Sequence, residues 1–422
     1  MTKRINIPCP EVARTPDDAM HFFGFHDLCP WDPQDKNLLV LRVADKEMLR
    51  MPTAQDEAQV CVWDPATGSV TPVGATTAWN WQQGARQQWL PDGSILYNTL
   101  QDGRPVAVRI QNGETTTLAD AMYCVAKDGT KALAPDFVRL HHAWPAYGYP
   151  GDSAAPPAPV PDDDGIWEVN LSDGSKKLLL SLADIAKVGD CNPPEATVQF
   201  VSHMAYNPSG TRFCFFHRFF MADGNMYTRF MAADADGVNL RLISDEKASH
   251  FDWQDDDTVA LWTRFLPKSV AAARRGGILS HPLLQPLLNP LRKLKGGMKQ
   301  RLWKEGYYLL KVDGSGDREP LGHGVLDADG HPMFNAGRQW FLTDTYPDAK
   351  GDYNLMLYRM DTGVRYDMLH HVSPPQFSRD MKCDHHPRFN RAQNLVCIDS
   401  PQTGTRQVHI IDPAPVFEAA GK

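Results

Sequence analysis

Short apolar runs separated by turn residues recur along the entire chain. Residues 94–98, 212–216 and 395–398 are such runs, and their length and bulky apolar side chains are typical of single β-strands. Pairs such as Asp-Gly lie between runs and tolerate the backbone conformation of a tight hairpin. Two hairpins in succession give four antiparallel strands, which is the size of one propeller blade.

Seven units of this kind follow one another in the sequence. Each opens at an aromatic or apolar residue with a turn directly after it, and the opening residues are Trp31, Trp89, Val125, Tyr206, Trp253, Phe334 and Phe389. This repetition predicts an all-β chain that folds as a seven-bladed β-propeller in a single domain, 1–422. A six-bladed propeller is the alternative, because residues 37–42 must either close a first blade alone or pair with the end of the chain.

One long stretch interrupts the fifth blade. Residues 264–304 carry ten arginines and lysines with no aspartate or glutamate, interleaved with leucines and prolines. This composition predicts a basic, amphipathic helical insertion that makes peripheral contact with an anionic membrane surface. A helical cap whose charges are simply solvated is the alternative. A shorter helical pattern covers residues 182–187.

Charge and composition exclude some classes of protein. The formal net charge of −8 argues against a nucleic-acid partner. The amino terminus lacks a signal-peptide pattern, and no run approaches the roughly 18 apolar residues of a membrane span. The eight cysteines show no paired spacing. We therefore expect a cytoplasmic protein with reduced thiols.

Four histidines recur at one position of the repeat. Each lies three residues before the aromatic residue that opens its unit, and they are His203, His250, His331 and His386. Because equivalent positions of radial repeats lie at equal radius, the four imidazoles are expected to converge on the propeller axis. The register predicts a site there for a metal or an anionic substrate. The alternative is that each histidine only bonds neighbouring backbone.

A cysteine near the last histidine suggests which metal. A thiolate among imidazoles favours zinc over manganese or calcium. The predicted ligands are His250, His331, Cys383 and His386, with His385 as the substitute for His386 if the register shifts. Four protein ligands close a site, so this zinc is predicted to be structural.

Other polar and aromatic residues stand where a sugar acid could bind. Arginine, histidine and tyrosine in the Gly- and Pro-containing stretch 139–149 are suited to holding a carboxylate and moving protons, and the candidates are Arg139, His141, Tyr147 and Tyr149. Packing of the tyrosines against a blade is the alternative. The candidate substrate-binding residues are His26, Trp81, Gln83, Asn98 and Arg218.

The histidine series resembles that of known propeller lyases. Oligogalacturonate lyases, and also ulvan and rhamnose–glucuronate lyases, have motifs similar to Ser202-His203, Ser249-His250-Phe-Asp-Trp253, Gly330-His331-Pro332, His386-Pro-Arg-Phe389 and Arg406-Gln-Val-His409. The resemblance implies cleavage of uronic-acid glycosides by β-elimination, aided by a bound metal. It also implies Tyr147 or Tyr149 as base or acid, Tyr206 as a second tyrosine and Arg139 as a carboxylate partner.

The chain departs from the lyase pattern in the second blade. Gln82, Gln83 and Asn98 stand where the resemblance leads us to expect catalytic histidines. Proton transfer then falls on His203, His141 or the tyrosines. The leading hypothesis is a lyase acting on an acidic oligosaccharide. The alternatives are a non-catalytic propeller that binds acidic glycans or acts as a scaffold in polysaccharide metabolism, and a glycoside hydrolase that uses aspartates.

Overall fold

Seven β-sheets, antiparallel except for one added strand, account for nearly all regular structure in the described part of the computed structural model. The structure describes residues 3–152, 156–189, 197–221, 224–245, 247–266, 270, 286, 302–348 and 350–421. The sheets follow one another along the chain, and we number them as blades one to seven. They are the blades of a seven-bladed β-propeller, which confirms the predicted fold class.

The strands of the first three blades are numbered along the chain after two amino-terminal strands. These two are β1 (Arg4–Asn6) and β2 (Glu11–Arg14). The three blades contain β3 (Met20–Phe22), β4 (Leu38–Val43), β5 (Ala58–Trp63) and β6 (Val70–Thr76); β7 (Gln88–Trp89), β8 (Ile95–Gln101), β9 (Arg104–Gln111) and β10 (Glu114–Leu118); and β11 (Cys124–Val125), β12 (Lys131–Ala134), β13 (Gly165–Asn170) and β14 (Lys176–Ser181).

The remaining blades use the rest of the chain and take up the amino-terminal strands. Blades four and five contain β15 (Phe200–Tyr206), β16 (Arg212–Phe220), β17 (Met226–Asp234) and β18 (Arg241–Ser244); and β19 (Ala248–Trp253), β20 (Thr258–Arg264), β21 (Glu305–Lys311) and β22 (Arg318–Leu321). Blades six and seven contain β23 (Met333–Phe334), β24 (Trp340–Asp344), β25 (Asp352–Arg359) and β26 (Val364–Val372); and β27 (Arg388–Phe389), β28 (Val396–Ser400) and β29 (Gln407–Ile411).

The amino-terminal strands settle the number of blades. Strands β3 to β6 close the first blade by themselves, so residues 37–42 do not need the end of the chain. Strand β2 instead supplies the fourth strand of blade seven, where Arg14 pairs with His409. Strand β1 adds a fifth, parallel strand to blade six, with Ile5 opposite Tyr366. The six-bladed alternative is therefore wrong.

A few short helices accompany these strands, one of them after the last strand. Those with described bounds are α1 (Phe137–Ala143), α2 (Leu182–Lys187), α3 (Ala414–Ala419) and a 3-10 helix (Arg379–Met381). Helix α2 confirms the short helical pattern, and the hydroxyl of Ser181 caps it by accepting from the Asp184 amide at 3.0 Å. Among the residues that the structure describes, no helix is long and apolar enough to cross a membrane.

The basic insertion lies in blade five, between β20 and β21. Most of residues 264–304 fall outside the described part of the chain, so the prediction of a helix there stays a prediction.

The chain divides into two compact units. Unit 1 contains residues 1–156, 167–177 and 330–422, and unit 2 contains residues 157–166 and 178–329. Each has its own apolar core. Trp79, Trp81 and Phe22 lie in one core cluster of unit 1, whereas Phe216, Phe230 and Phe251 lie in the core of unit 2. The description of a single domain over the whole chain stays a prediction.

Candidate metal centre and neighbouring polar groups

Three buried residues of unit 1 bring potential metal ligands together. One ligand atom each from His331, Asp384 and His386 lies within 4.8 Å of the other two. The two imidazole rings meet edge to face, with centroids 4.4 Å apart. His331 lies just before β23, and the other two residues lie in the segment that leads to β27. Two of the histidines predicted from the repeat therefore meet.

An aspartate from the next strand orients His331. Asp344, the last residue of β24, places its carboxylate oxygens 2.9 and 3.0 Å from the Nδ1 of His331. Because a carboxylate accepts hydrogen bonds, Nδ1 is the protonated nitrogen and Nε2 carries the lone pair. A metal-binding histidine needs this arrangement, with its second nitrogen held by an acceptor.

A backbone carbonyl orients His386 in the same way. The Nδ1 of His386 donates to the Gly24 carbonyl at 2.6 Å, which again leaves the lone pair on Nε2. His386 has a φ of 45°, in the left-handed region that non-glycine residues rarely adopt. Gly24 has a φ of 107°, and a Cβ there would lie 2.9 Å from the Gln83 carbonyl oxygen. Only glycine fits at position 24, where the backbone passes close to Gln83. This packing holds the Gly24 carbonyl in place as the acceptor for His386.

The third member of the group is held from two sides. The Tyr353 hydroxyl donates to Asp384 at 3.2 Å, and the Lys382 Nζ lies 3.3 Å from the other carboxylate oxygen. Burial and the neighbouring Asp384 charge raise the pKa of Tyr353, so the phenol keeps its proton and remains a donor. The hydroxyl of Tyr353 and the ammonium of Lys382 therefore hold the Asp384 carboxylate in place, and Asp384 is only 2% exposed.

These residues fit a divalent cation. Two imidazole nitrogens and one carboxylate oxygen are a mixed ligand set that several divalent metals accept. Three protein ligands also leave coordination positions open, as a site that binds substrate requires. Cys383 is not a member of this group; it is fully buried, and burial raises the pKa of its thiol to about 12. The four-residue set with His250 and Cys383 stays a prediction.

Two further predicted residues lie around the centre in unit 1. The His26 ring centroid is 5.7 Å from that of His331 and 6.3 Å from that of His386. Phe25 packs edge-on against both His386 and Tyr147, at 5.2 and 5.8 Å. Tyr147 stacks on Trp144 at 3.7 Å. The structure therefore brings His26 close to the candidate centre, and Tyr147 lies one aromatic ring further away, against Phe25.

Unit 2 holds a second group of polar residues. His203 lies in β15 with a φ of 54°, next to a break in the pairing with β16. Its Nδ1 lies 3.0 Å from the Ser202 hydroxyl and 3.5 Å from the Arg218 guanidinium. Left-handed residues and bulges are over-represented at functional sites.

His250 lies beside this group. Its ring centroid is 6.3 Å from that of His203, and its Nδ1 is 3.4 Å from Asp329. Burial alone raises the pKa of Asp329, but hydrogen bonds from His250 and Ser249 bring it below its ordinary value. Asp329 is therefore an anion beside the imidazole.

Several predicted residues lie instead in the packed interior. The Trp81 Nε1 donates to the Arg50 carbonyl at 2.7 Å, and the Gln83 amide donates to the Tyr123 hydroxyl at 2.8 Å. Asn98 exchanges hydrogen bonds with the Met122 backbone and donates to Tyr149. Tyr149 is fully buried against Phe137, and burial raises the pKa of its phenol. These contacts are those of packed structural residues.

The remaining predicted residues are in α1 and β15. Arg139 is buried in α1, and His141, near the end of that helix, has its pKa lowered by burial. Tyr206 ends β15 with its ring edge-on to Phe213. The aromatic residues predicted from the sequence to open units four to seven are instead the last residues of β15, β19, β23 and β27, because the hairpin turn follows them directly.

Sequence reasoning overlooked three residues of the centre: Asp384, Asp344 and Lys382. A signal for Asp384 was present, because alternate residues of an extended segment tend to face the same side, and positions 384 and 386 alternate. No local signal marks Asp344 as the partner of His331, thirteen residues earlier.

Comparison with known proteins supports the fold. No family model matches the sequence, and no curated protein matches it. The structure is similar to an oligogalacturonate lyase from Vibrio parahaemolyticus, with a TM-score of 0.59, 14% identity, and coverage of 94% of this chain and 92% of that one. It is also similar to an oligogalacturonate lyase in complex with manganese, with a TM-score of 0.61, 14% identity and coverage of 98% of both chains.

The fold and the centre together define a class. The chain is a seven-bladed propeller with a buried His/Asp group suited to a metal, and its fold is one that oligogalacturonate lyases share. The resemblance seen in the histidine motifs is therefore confirmed at the level of the fold.

Proposed function

We propose that this protein is a metal-dependent lyase that cleaves a uronic-acid-containing oligosaccharide or polysaccharide by β-elimination. The group of His331, Asp384 and His386 carries the proposal, because it offers a buried, partly open metal site within a fold shared with uronide lyases. A divalent ion bound there supplies the positive charge that neutralises a uronate carboxylate and acidifies the neighbouring C–H.

The ligand set changes the preference among metals. With a carboxylate in the group, the soft-ligand argument for zinc no longer applies, and imidazole with carboxylate also suits manganese. One of the similar lyases is described in complex with manganese. We therefore propose manganese, with zinc as the alternative to be compared in the same titration.

Elimination also needs a base for the proton and an acid for the leaving oxygen. In unit 1, we propose two groups for proton transfer: His26, whose ring lies next to His331, and Tyr147, which packs against Phe25. His203 and Arg218 of unit 2 stay candidates predicted from the sequence, an imidazole next to a guanidinium.

The test is an ultraviolet assay for the unsaturated uronide that elimination produces. We expect activity on oligogalacturonate or glucuronate-containing oligosaccharides, loss with a chelator, and recovery with manganese. His26→Ala and Tyr147→Phe should each slow turnover by 10²-fold or more, on the order of a lost general acid or base. His370→Ala, at an exposed position, is the control. New reducing ends without the unsaturated product would indicate hydrolysis and overturn the proposal.

One observation favours a second function, non-catalytic binding of acidic glycans. Gln83 and Asn98 stand where catalytic histidines are expected from the resemblance, and both are used in interior hydrogen bonds. Tight binding of uronides with no product of either kind would support this alternative.

The basic stretch 264–304 and the cellular location remain proposals made from sequence. We propose a cytoplasmic protein that can dock through this stretch to anionic lipid, which sedimentation with anionic vesicles tests directly.

A further inference from the structure

A lysine lies beside the candidate metal ligands and has no role in the scheme above. The Lys382 Nζ is 3.3 Å from an Asp384 carboxylate oxygen and 3.9 Å from the centroid of the Tyr346 ring. Tyr346 in turn packs edge-on against His331 at 5.3 Å. The lysine side chain is 30% exposed, whereas that of Asp384 is 2% exposed. The Lys382 side chain therefore extends from the buried centre to solvent.

The backbone that carries this lysine is held by buried side chains. The Lys382 carbonyl accepts from the Arg406 guanidinium at 2.7 Å and from the Gln82 amide at 3.0 Å. Arg406 also donates to the Met381 and Trp81 carbonyls, at 3.2 and 3.0 Å. A fixed backbone and a ring under the ammonium group restrain Lys382 more than a solvated surface lysine is restrained.

The charges of the centre predict what this lysine binds. The carboxylates of Asp344 and Asp384 bring two negative charges to the centre, and a divalent ion together with Lys382 outweighs these two. The Arg388 guanidinium, which donates to the Pro332 carbonyl at 2.9 Å, adds to the excess. An excess of positive charge in a poorly hydrated site is costly until an anion enters.

We propose that Lys382 selects the substrate by its carboxylate, so that a uronate binds at the centre and the matching neutral sugar does not. This inference deepens the proposed function and rests on it. The ammonium donates to the incoming carboxylate as a charge-assisted hydrogen bond.

The same lysine couples the substrate to the metal. Without a uronate, Lys382 repels a cation and pairs with the Asp384 carboxylate that the cation needs. With a uronate present, the ammonium has an anion to bind, and this penalty is removed. Metal and uronate should therefore bind cooperatively, and by thermodynamic linkage each raises the affinity for the other by the same factor.

The experiment measures that coupling by calorimetric titration of the full chain with Mn²⁺. Each titration is done alone, with oligogalacturonate, and with its methyl ester as the matched neutral sugar. In the wild type, the uronate should tighten Mn²⁺ binding by about five-fold or more and the ester should not. In Lys382→Met, Mn²⁺ alone should bind at least as tightly as in the wild type, and the uronate effect should fall below two-fold.

Matched variants keep the result interpretable. Lys350→Met makes the same change at an exposed lysine of unit 1 and should retain the full coupling. Lys382→Arg keeps the charge and should retain part of it. Wild-type coupling in Lys382→Met overturns the inference alone. If the wild type binds Mn²⁺ but no uronate, the proposed function fails, and the inference fails with it.

Discussion

Asp344 holds His331 with both of its carboxylate oxygens, at 2.9 and 3.0 Å from the imidazole Nδ1. The same carboxylate accepts from the His331 backbone amide at 2.6 Å. Neither side chain is more than 1% exposed. A residue outside the His331, Asp384 and His386 group therefore sets the tautomer and the direction of one of its three candidate ligands.

Removing the charge of Asp344 should weaken metal binding without removing a ligand. We expect Asp344→Asn to lower the affinity for Mn²⁺ by roughly 10- to 100-fold, the usual effect of losing a residue that orients a ligand. Calorimetric titration measures it. Asp348→Asn, at an exposed position in the loop that follows β24, should bind like the wild type. Unchanged affinity in Asp344→Asn would mean that His331 does not bind the metal through Nε2.

The structure suggests Asp384 as a metal ligand, whereas the sequence pattern predicted Cys383. One pair of variants distinguishes these two possibilities. Asp384→Asn should abolish stoichiometric metal binding, whereas Cys383→Ser should keep it, because Asp384 belongs to the ligand group and Cys383 does not. Metal analysis of both purified variants decides. Loss of metal in Cys383→Ser with retention in Asp384→Asn would restore the zinc set predicted from the sequence.

Acid should destabilise the protein through His371. Burial lowers the pKa of this imidazole from 6.5 to about 4, beside the stacked ring of Tyr353. The unfolded chain therefore takes up the proton first, and the free energy of unfolding falls as the pH drops from 6.5 towards 4. The loss is roughly 3 kcal/mol at most.

Urea denaturation between pH 7 and 4 checks this prediction. His371→Asn should flatten the decline, and the exposed neighbour variant His370→Asn should leave it unchanged. An equally steep decline in His371→Asn would assign the acid sensitivity to other groups.

A buried ion pair in unit 1 should contribute more to the free energy of unfolding than a surface ion pair does. The Arg86 guanidinium donates to both Asp27 oxygens, at 2.8 and 2.7 Å, and to the Tyr123 carbonyl. Arg86→Met leaves these acceptors without their donor and should lower the free energy of unfolding by about 3–5 kcal/mol. Arg109→Met, which breaks the exposed pair with Asp92, should cost under about 1 kcal/mol. Equal losses in the two variants, measured by denaturant unfolding, would contradict the argument.

Local signals in the sequence were enough to predict the blades. Alternating apolar residues and Asp-Gly turns act over a few positions, so the seven units and helix α2 could be found without long-range information. The pairing of β1 and β2 with the last two blades could not, because strands 350 to 400 residues apart in sequence carry no local mark of their partner.

Only part of the candidate site could be predicted from the sequence. Its repeat predicted that His331 and His386 lie close together, and their side chains do, because equivalent repeat positions become equivalent positions in space. Chemistry alone then favoured Cys383 over Asp384, since sulfur is the stronger sign of zinc. Trp81, Gln83 and Asn98 have side chains suited to sugars, but the structure uses them in interior hydrogen bonds.

The sequence by itself determined the fold class and predicted that His331 and His386 lie close together. Only the tertiary structure decided the rest of the candidate site: Asp384 as the third candidate ligand, Asp344 as the partner of His331, the Gly24 carbonyl as the acceptor for His386, and Lys382 beside the group. The physical reason is that strand patterns are set by neighbouring residues, whereas the direction of a ligand is set by whichever buried donor or acceptor the completed fold brings to it.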